Sequence, residues 1–207
     1  MCKSLILIPC CGSKQEGGDN NYDNDKSILN YLDDKSKLIN LRKILLENFN
    51  LPNDLDVGDS PQNNNDVLYM PAYRRYCGKL YSKITDNAWQ QLEGNPKLDL
   101  IIVSALFGLV KWNESLRDYN VAMKNKIEGK SLKRWWRDNN LCGILKDYIK
   151  ENNISKIYNI LSNDYSDALR GCFANCGIKV EKHNFSKYRI AINYHRGKWV
   201  NDFILKF

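Results

Sequence analysis

Three short apolar runs constrain this chain more than any other feature. Leu5 to Ile8 in "LILIPCCGSK", Leu98 to Val103 in "LDLIIVSALFGLV", and Lys156 to Ser162, "KIYNILS", are each too short for a buried helix and carry few polar residues. Runs of this length suit strands covered on both faces, as in parallel sheets. Helical patterns separate them. Ser82 to Leu92 ends at Gly94, Asn95 and Pro96, a normal helix stop, and a second helix begins near Ser131 in "SLKRWWRDNNLCGILKDYIKEN". A helical "DYSDALRGCFANCG" follows, then a strand near Ile178 to Glu181. Residues 27 to 49 place Leu29, Leu32, Leu38, Leu41, Ile44 and Leu45 at mostly helical spacing, giving one or two helices. This alternation predicts an α/β fold: one domain over residues 1–207 with a mostly parallel central sheet flanked by helices. Residues 50–66, "NLPNDLDVGDSPQNNND", read as a flexible excursion.

Composition narrows the function. No apolar run approaches the roughly 20 residues that a bilayer span needs. The N-terminal run is short and lacks a small-residue cleavage site, so a soluble, cytoplasmic monomer is expected. Seven cysteines without a regular framework suit reduced thiols. Cys172, Cys176 and His183 come nearest to a metal set, but no second cysteine pair completes it, so neither metal nor cofactor is expected. The net charge of +7 favours a polyanionic partner.

In open α/β sheets ligands bind at the carboxyl ends of the strands. Here "PCCGSK", "SALFGLV" and "LSNDYSDAL" leave those ends. In the first, Cys10 and Gly12 shape a turn, while Ser13 and Lys14 suit a phosphate or a polar base edge; a structural turn with buried thiols accounts for the same residues. In the second, Ser104, Phe107 and Gly108 join the candidate substrate-binding set, with Gly108 marking a tight turn or a close backbone approach. "PAYRRYCGKLY" interleaves Tyr73, Arg74, Arg75 and Lys79, a pattern that stacks bases and neutralises phosphates. "SLKRWWRDN" offers Lys133, Arg134 and Arg137 beside two tryptophans, one expected in the core and one partly exposed. Asp118 and Asp164 are candidate carboxylates for orienting water, and Asn163 and Tyr119 are candidates for gripping a base. For Asp164, directly after a strand, a helix cap comes before catalysis.

Together these segments resemble the YaaA family of bacterial stress-associated proteins. "PAYRRYCGKLY" is similar to its Pro-Ala, Tyr-x-Gly, Tyr segment and "IIVSALFGLV" to its strand and Gly-Leu turn. "DYNVAM", "LSNDYSDAL" and "HRGKWVNDFI" match its Tyr-Met, Ser-Asn-Glu-Tyr and closing Arg-Gly segments, the last adding Arg196 to the DNA-binding set. The "PCCGSK" loop departs from the family's Ser-Pro-Ala-Lys, being closer to YaaA-like domains of deazaguanine-inserting tRNA enzymes. Ala122 and Asp164 replace a usual acid and a usual Glu. The resemblance implies an α/β core, DNA binding, protection against oxidative DNA damage and a distant likeness to uracil-DNA glycosylase-like folds. The residues and the resemblance lead to the expectation of a DNA glycosylase, a hydrolase that excises a damaged or modified base from duplex or locally single-stranded DNA in repair or antiviral defence. The alternatives are a non-enzymatic DNA-binding stress protein and a nucleotide-processing enzyme.

Overall fold

A computed structural model describes residues 2–58, 66–174 and 177–207. Among these, nine strands and seven α-helices follow one another along the chain. Strand β1 (Lys3–Pro9) leads through helix α1 (Ser36–Asn48), strand β2 (Tyr69–Pro71) and helix α2 (Ala72–Arg75) to helix α3 (Asp86–Gly94). Strands β3 (Leu98–Ser104), β4 (Gly108–Lys111), β5 (Ser115–Arg117), β6 (Lys126–Ile127) and β7 (Lys130–Ser131) come next. Helices α4 (Leu132–Asp138) and α5 (Leu141–Glu151), strand β8 (Ile154–Asn159), helix α6 (Asn163–Ala168), strand β9 (Lys179–Lys182) and helix α7 (Ile192–Ile204) complete it.

Five strands form the central sheet in the order β4-β3-β1-β8-β9. Only β4 runs antiparallel, folding back on β3 through Ser104↔Gly108. The β1 side chains from Leu5 to Ile8 are fully buried, with Leu7 opposite Ile101 on one side and Asn159 on the other. A central strand covered on both faces requires such a run, so the expectation of a mostly parallel α/β sheet holds.

The connection leaving β1 runs toward β3, while the one leaving β8 runs the opposite way, to β9. Adjacent strands whose exits diverge leave a crevice between their carboxyl ends. That crevice lies between the loop after Pro9 and the segment after Asn159.

Local chemistry explains where elements differ from expectation. The helix expected from Ser131 onward is two helices, because Asn140 adopts φ 61° and caps α5 by accepting from Gly143 N at 3.0 Å. Asparagine tolerates that left-handed conformation better than most residues. Both tryptophans of α4 are buried, so neither is the exposed aromatic that was expected. Gly108 has φ 71°, and a Cβ there would meet the Trp136 ring at 2.8 Å, which fits the expected close approach. Of the 50–66 excursion, Leu55–Val57 forms a short 3-10 turn with buried Asp54 and Asp56, and residues 59–65 lie outside the described residues.

Candidate functional site

The segments that leave β1, β3 and β8 converge as expected. Cys10, directly after β1, has its Sγ 3.1 Å from the Tyr165 hydroxyl on α6, which joins groups 155 residues apart. Tyr119 anchors a second, buried network: its hydroxyl lies 2.7 Å from that of Tyr76 and 2.9 Å from Ser104 Oγ. Ser104 Oγ also accepts from Phe107 N at 3.1 Å, which fixes the turn after β3. The Lys14 ammonium sits 4.1 Å from the centre of the Tyr119 ring and donates to Gly12 O at 3.4 Å. An isolated bridge between Lys14 and Tyr76 ties this loop to the end of α2.

Burial makes the floor of the site neutral. It pushes the Cys10 thiol up, against the opposing pull of Tyr165 and Lys14, and the Cys11 thiol is pushed up to about 11 for the same reason. The hydroxyls of Tyr76 and Tyr119 are held far above the ordinary tyrosine range by burial. Burial also lowers Lys14, opposed by the neighbouring thiols and by Asp118. Protonated thiols and phenols thus give hydrogen-bonding groups without charge, with a cation at the edge. Cys10 and Cys11 are therefore poor nucleophiles.

Several candidates change role. Arg75 is 0 % exposed and its guanidinium donates to the carbonyls of Leu116, Gln15 and Leu68. It braces the loop after β1 against β5 and cannot reach a phosphate. Ser104, Phe107 and Gly108 are likewise buried, so they support Tyr119 and the core from beneath and make no ligand surface. Tyr119 is itself 5 % exposed under Lys14, with its hydroxyl already engaged. Lys133 pairs with Asp164 at 2.7 Å and Arg137 with Asp167 at 3.3 Å, so this ridge staples α4 to α6. Asp164 is therefore engaged outside the crevice, and the residue preceding α6 is Ser162. Asp118 is exposed, accepts from Tyr119 N at 2.7 Å and lies within electrostatic reach of Lys14. Arg74, Lys79, Arg134 and Asn163 are exposed. Tyr73 packs against Trp89 and Trp112. His183 packs against Trp199 with ring centres 4.2 Å apart and planes tilted by 46°, and Cys176 lies outside the described residues.

The crevice between β1 and β8 opens into a cleft of about 430 Å³. Pro9, Cys10, Cys11 and Gly12 form one wall, Ser162 and Tyr165 a second, and Arg189 to Arg196 the third. A Cβ on Gly12 would meet nothing within 4 Å, so the backbone here is open to a ligand. Sequence reasoning reached Cys10, Gly12 and Arg196 but left Ser162, Arg189 and Asn193 unassigned. Arg189 sits in "SKYRIAINYHRG", where no charge run or motif distinguishes it.

Fold and site define an α/β protein with a cleft at the switch point of a mostly parallel sheet. The chain belongs to the family described as "Peroxide stress protein YaaA", whose sequence model matches residues 21–204. It is 27% identical over 184 residues to a UPF0246 protein of Clostridioides difficile (strain 630), covering 80% of this chain and 72% of that relative. A UPF0246 protein of Francisella philomiragia subsp. philomiragia is 25% identical over 142 residues, or 67% of this chain and 54% of its own length. Membership agrees with the resemblance read from "PAYRRYCGKLY" to "HRGKWVNDFI". Among the described residues no helix is long and apolar enough to cross a membrane.

Proposed function

We propose that the protein acts on DNA, receiving a nucleotide displaced from the helix into the switch-point cleft. The observation that carries this reading is the uncharged Cys10–Tyr165 pair in the cleft lining, with the guanidinium groups of Arg189 and Arg196 on the opposite wall. A nucleobase presents neutral donors and acceptors on its edge and hangs from a charged backbone, so a neutral pair opposite cations complements both parts. The net charge of +7 supports a polyanionic partner, and the family description supports a role in peroxide stress. Fluorescence anisotropy with a duplex bearing one mismatched pair and its fully paired counterpart tests the reading. The mismatched duplex binds more tightly, because part of the unpairing cost is already met. Equal binding of the two, or none, contradicts it.

Base excision is a second reading, favoured by Asp118, which is exposed outside the cleft lining and within electrostatic reach of Lys14 on the loop that forms one wall. A carboxylate there steadies positive charge developing on the sugar while a neutral donor bonds the departing base. Alkali-labile sites formed in peroxide-damaged DNA by the wild type, and not by Asp118→Asn, are the expected result. Damaged DNA left intact by active-fold wild type leaves binding without chemistry.

A further inference from the structure

The third wall of the cleft has an unusual composition. Arg189, Asn193 and Arg196 project from the segment between β9 and α7 and from the first turns of α7, facing Gly12 and Ser162 across the opening. None of the described residues lining the cleft is acidic. The Arg196 guanidinium is partly buried, bonds Asn193 Oδ1 through Nη1 at 2.9 Å and lies 5.7 Å from the Phe185 ring centre. Its Nε is buried without a hydrogen-bond partner. A buried donor left unmade costs about 1–3 kcal/mol, and more for a charged group, so a fold tolerates one chiefly where an acceptor arrives later. Burial alone, with no neighbouring carboxylate, lowers the proton affinity of this guanidinium. By contrast, Lys133, Arg137 and Lys198 each have an aspartate within 3.3 Å.

Two further groups point the same way. Ser162 precedes α6 but makes no capping bond through its side chain. Arg189 holds φ 45° and ψ −116°, a conformation that arginine rarely adopts, and the neighbouring Ile190 is 93 % exposed. Strained backbone of this kind persists where the surroundings over-determine it and is concentrated at ligand clamps. The lining thus presents guanidinium, amide and hydroxyl donors with no anionic acceptor among them, together with the apolar side chains of Pro9, Ile190 and Ile192.

We infer that Arg189 and Arg196, with Ser162, form the binding site for a phosphate ester carried by an organic body that lies against Cys10, Tyr165 and Ile192. Planar guanidinium forks match phosphate oxygens in pairs, and a cleft of this size holds a single nucleotide. The proposal deepens the nucleotide-holding reading and rests on the same cleft, but its test does not depend on DNA binding. Two sources supply the chemistry: a monoester on a free nucleotide and a diester within a DNA strand.

Isothermal titration with 2′-deoxyadenosine 5′-monophosphate, and with a short single-stranded oligonucleotide lacking terminal phosphates, separates the sources. The wild type binds at least one of the two probes, and 2′-deoxyadenosine without phosphate binds at least tenfold more weakly. Arg196→Gln and Arg189→Gln each weaken binding by about tenfold or more, as expected for the loss of a charge-assisted pair. Arg189→Gln keeps the test decisive if the partly buried Arg196 variant does not fold. Binding of the monophosphate by a protein that ignores duplex DNA upholds the phosphate site and defeats the DNA reading. Wild-type affinity in Arg189→Gln, or failure of both phosphate probes to bind folded wild type, overturns the inference.

Discussion

The hydroxyls of Tyr76 and Tyr119 lie 2.7 Å apart, both on buried side chains, and the second is shared with Ser104. This pair locks the end of α2 to the segment after β5, and the Lys14 loop rests on it. Tyr119→Phe leaves two buried hydroxyls without that partner, at a cost of about 1–3 kcal/mol. The expected drop in Tm is several degrees, at about 2–4 °C per kcal/mol for a chain of this size. Thermal unfolding followed by circular dichroism measures it, and an unchanged Tm contradicts the network.

Cys11 is the next test. Its thiol, pushed up to about 11 by burial, keeps its proton in the folded protein at pH values where the unfolded chain loses it. The contribution to stability is therefore present at neutral pH and falls as pH rises from about 9 toward about 11. Alkylation by iodoacetamide at pH 7.5, read by peptide mass spectrometry, is expected to be fast at the exposed Cys2 and Cys77 and slow at Cys10 and Cys11. Cys10→Ser keeps a neutral hydrogen-bonding group beside Tyr165 and is expected to retain any nucleotide binding by the wild type.

Glu114 carries the largest predicted stability effect. It is fully buried and accepts from Ile28 N and Lys111 N at 3.0 Å and from Arg42 Nη2 at 3.1 Å. Glu114→Ala strands the buried Arg42 charge at a cost of about 3–5 kcal/mol, a large part of the about 5–15 kcal/mol that holds a domain together. Urea unfolding measures the loss, and a change below 1 kcal/mol excludes the pairing.

These cases show why the sheet was legible in the sequence and the site only in part. Leu5–Ile8 and Leu98–Val103 announce buried strands because a central strand leaves no solvent face, and nothing else in the fold competes for that pattern. The identity of the chemistry-bearing loops followed from where those strands stop. Partnership was not legible. Arg74 and Arg75 are adjacent and chemically alike, yet one is exposed and the other is sealed among carbonyls from β5 and the first loop. Lys133 reads as a free cation until α6 folds beside α4 and supplies Asp164, 31 residues away. Conversely, Arg189 gained its position from a turn whose backbone angles no motif records.

Asp164 and Asp118 separate on these grounds. Asp164 is half-exposed and paired with Lys133, so Asp164→Asn is expected to change stability by no more than about 1 kcal/mol. Any base release by the wild type is expected to survive that change and to fall by orders of magnitude in Asp118→Asn, with DNA binding retained. Single-turnover kinetics with both variants measure the split, and loss of activity in Asp164→Asn alone reverses the assignment.

The central claim, that a displaced nucleotide enters the cleft between β1 and β8, is tested most directly by 2-aminopurine placed at a mismatched position in a duplex. Its emission is quenched by stacking on neighbouring bases. A rise of severalfold is expected when the wild type binds at saturation, and a much smaller rise with a bulky residue in the open space above Gly12, as in Gly12→Trp. Saturated binding with no change in emission contradicts it.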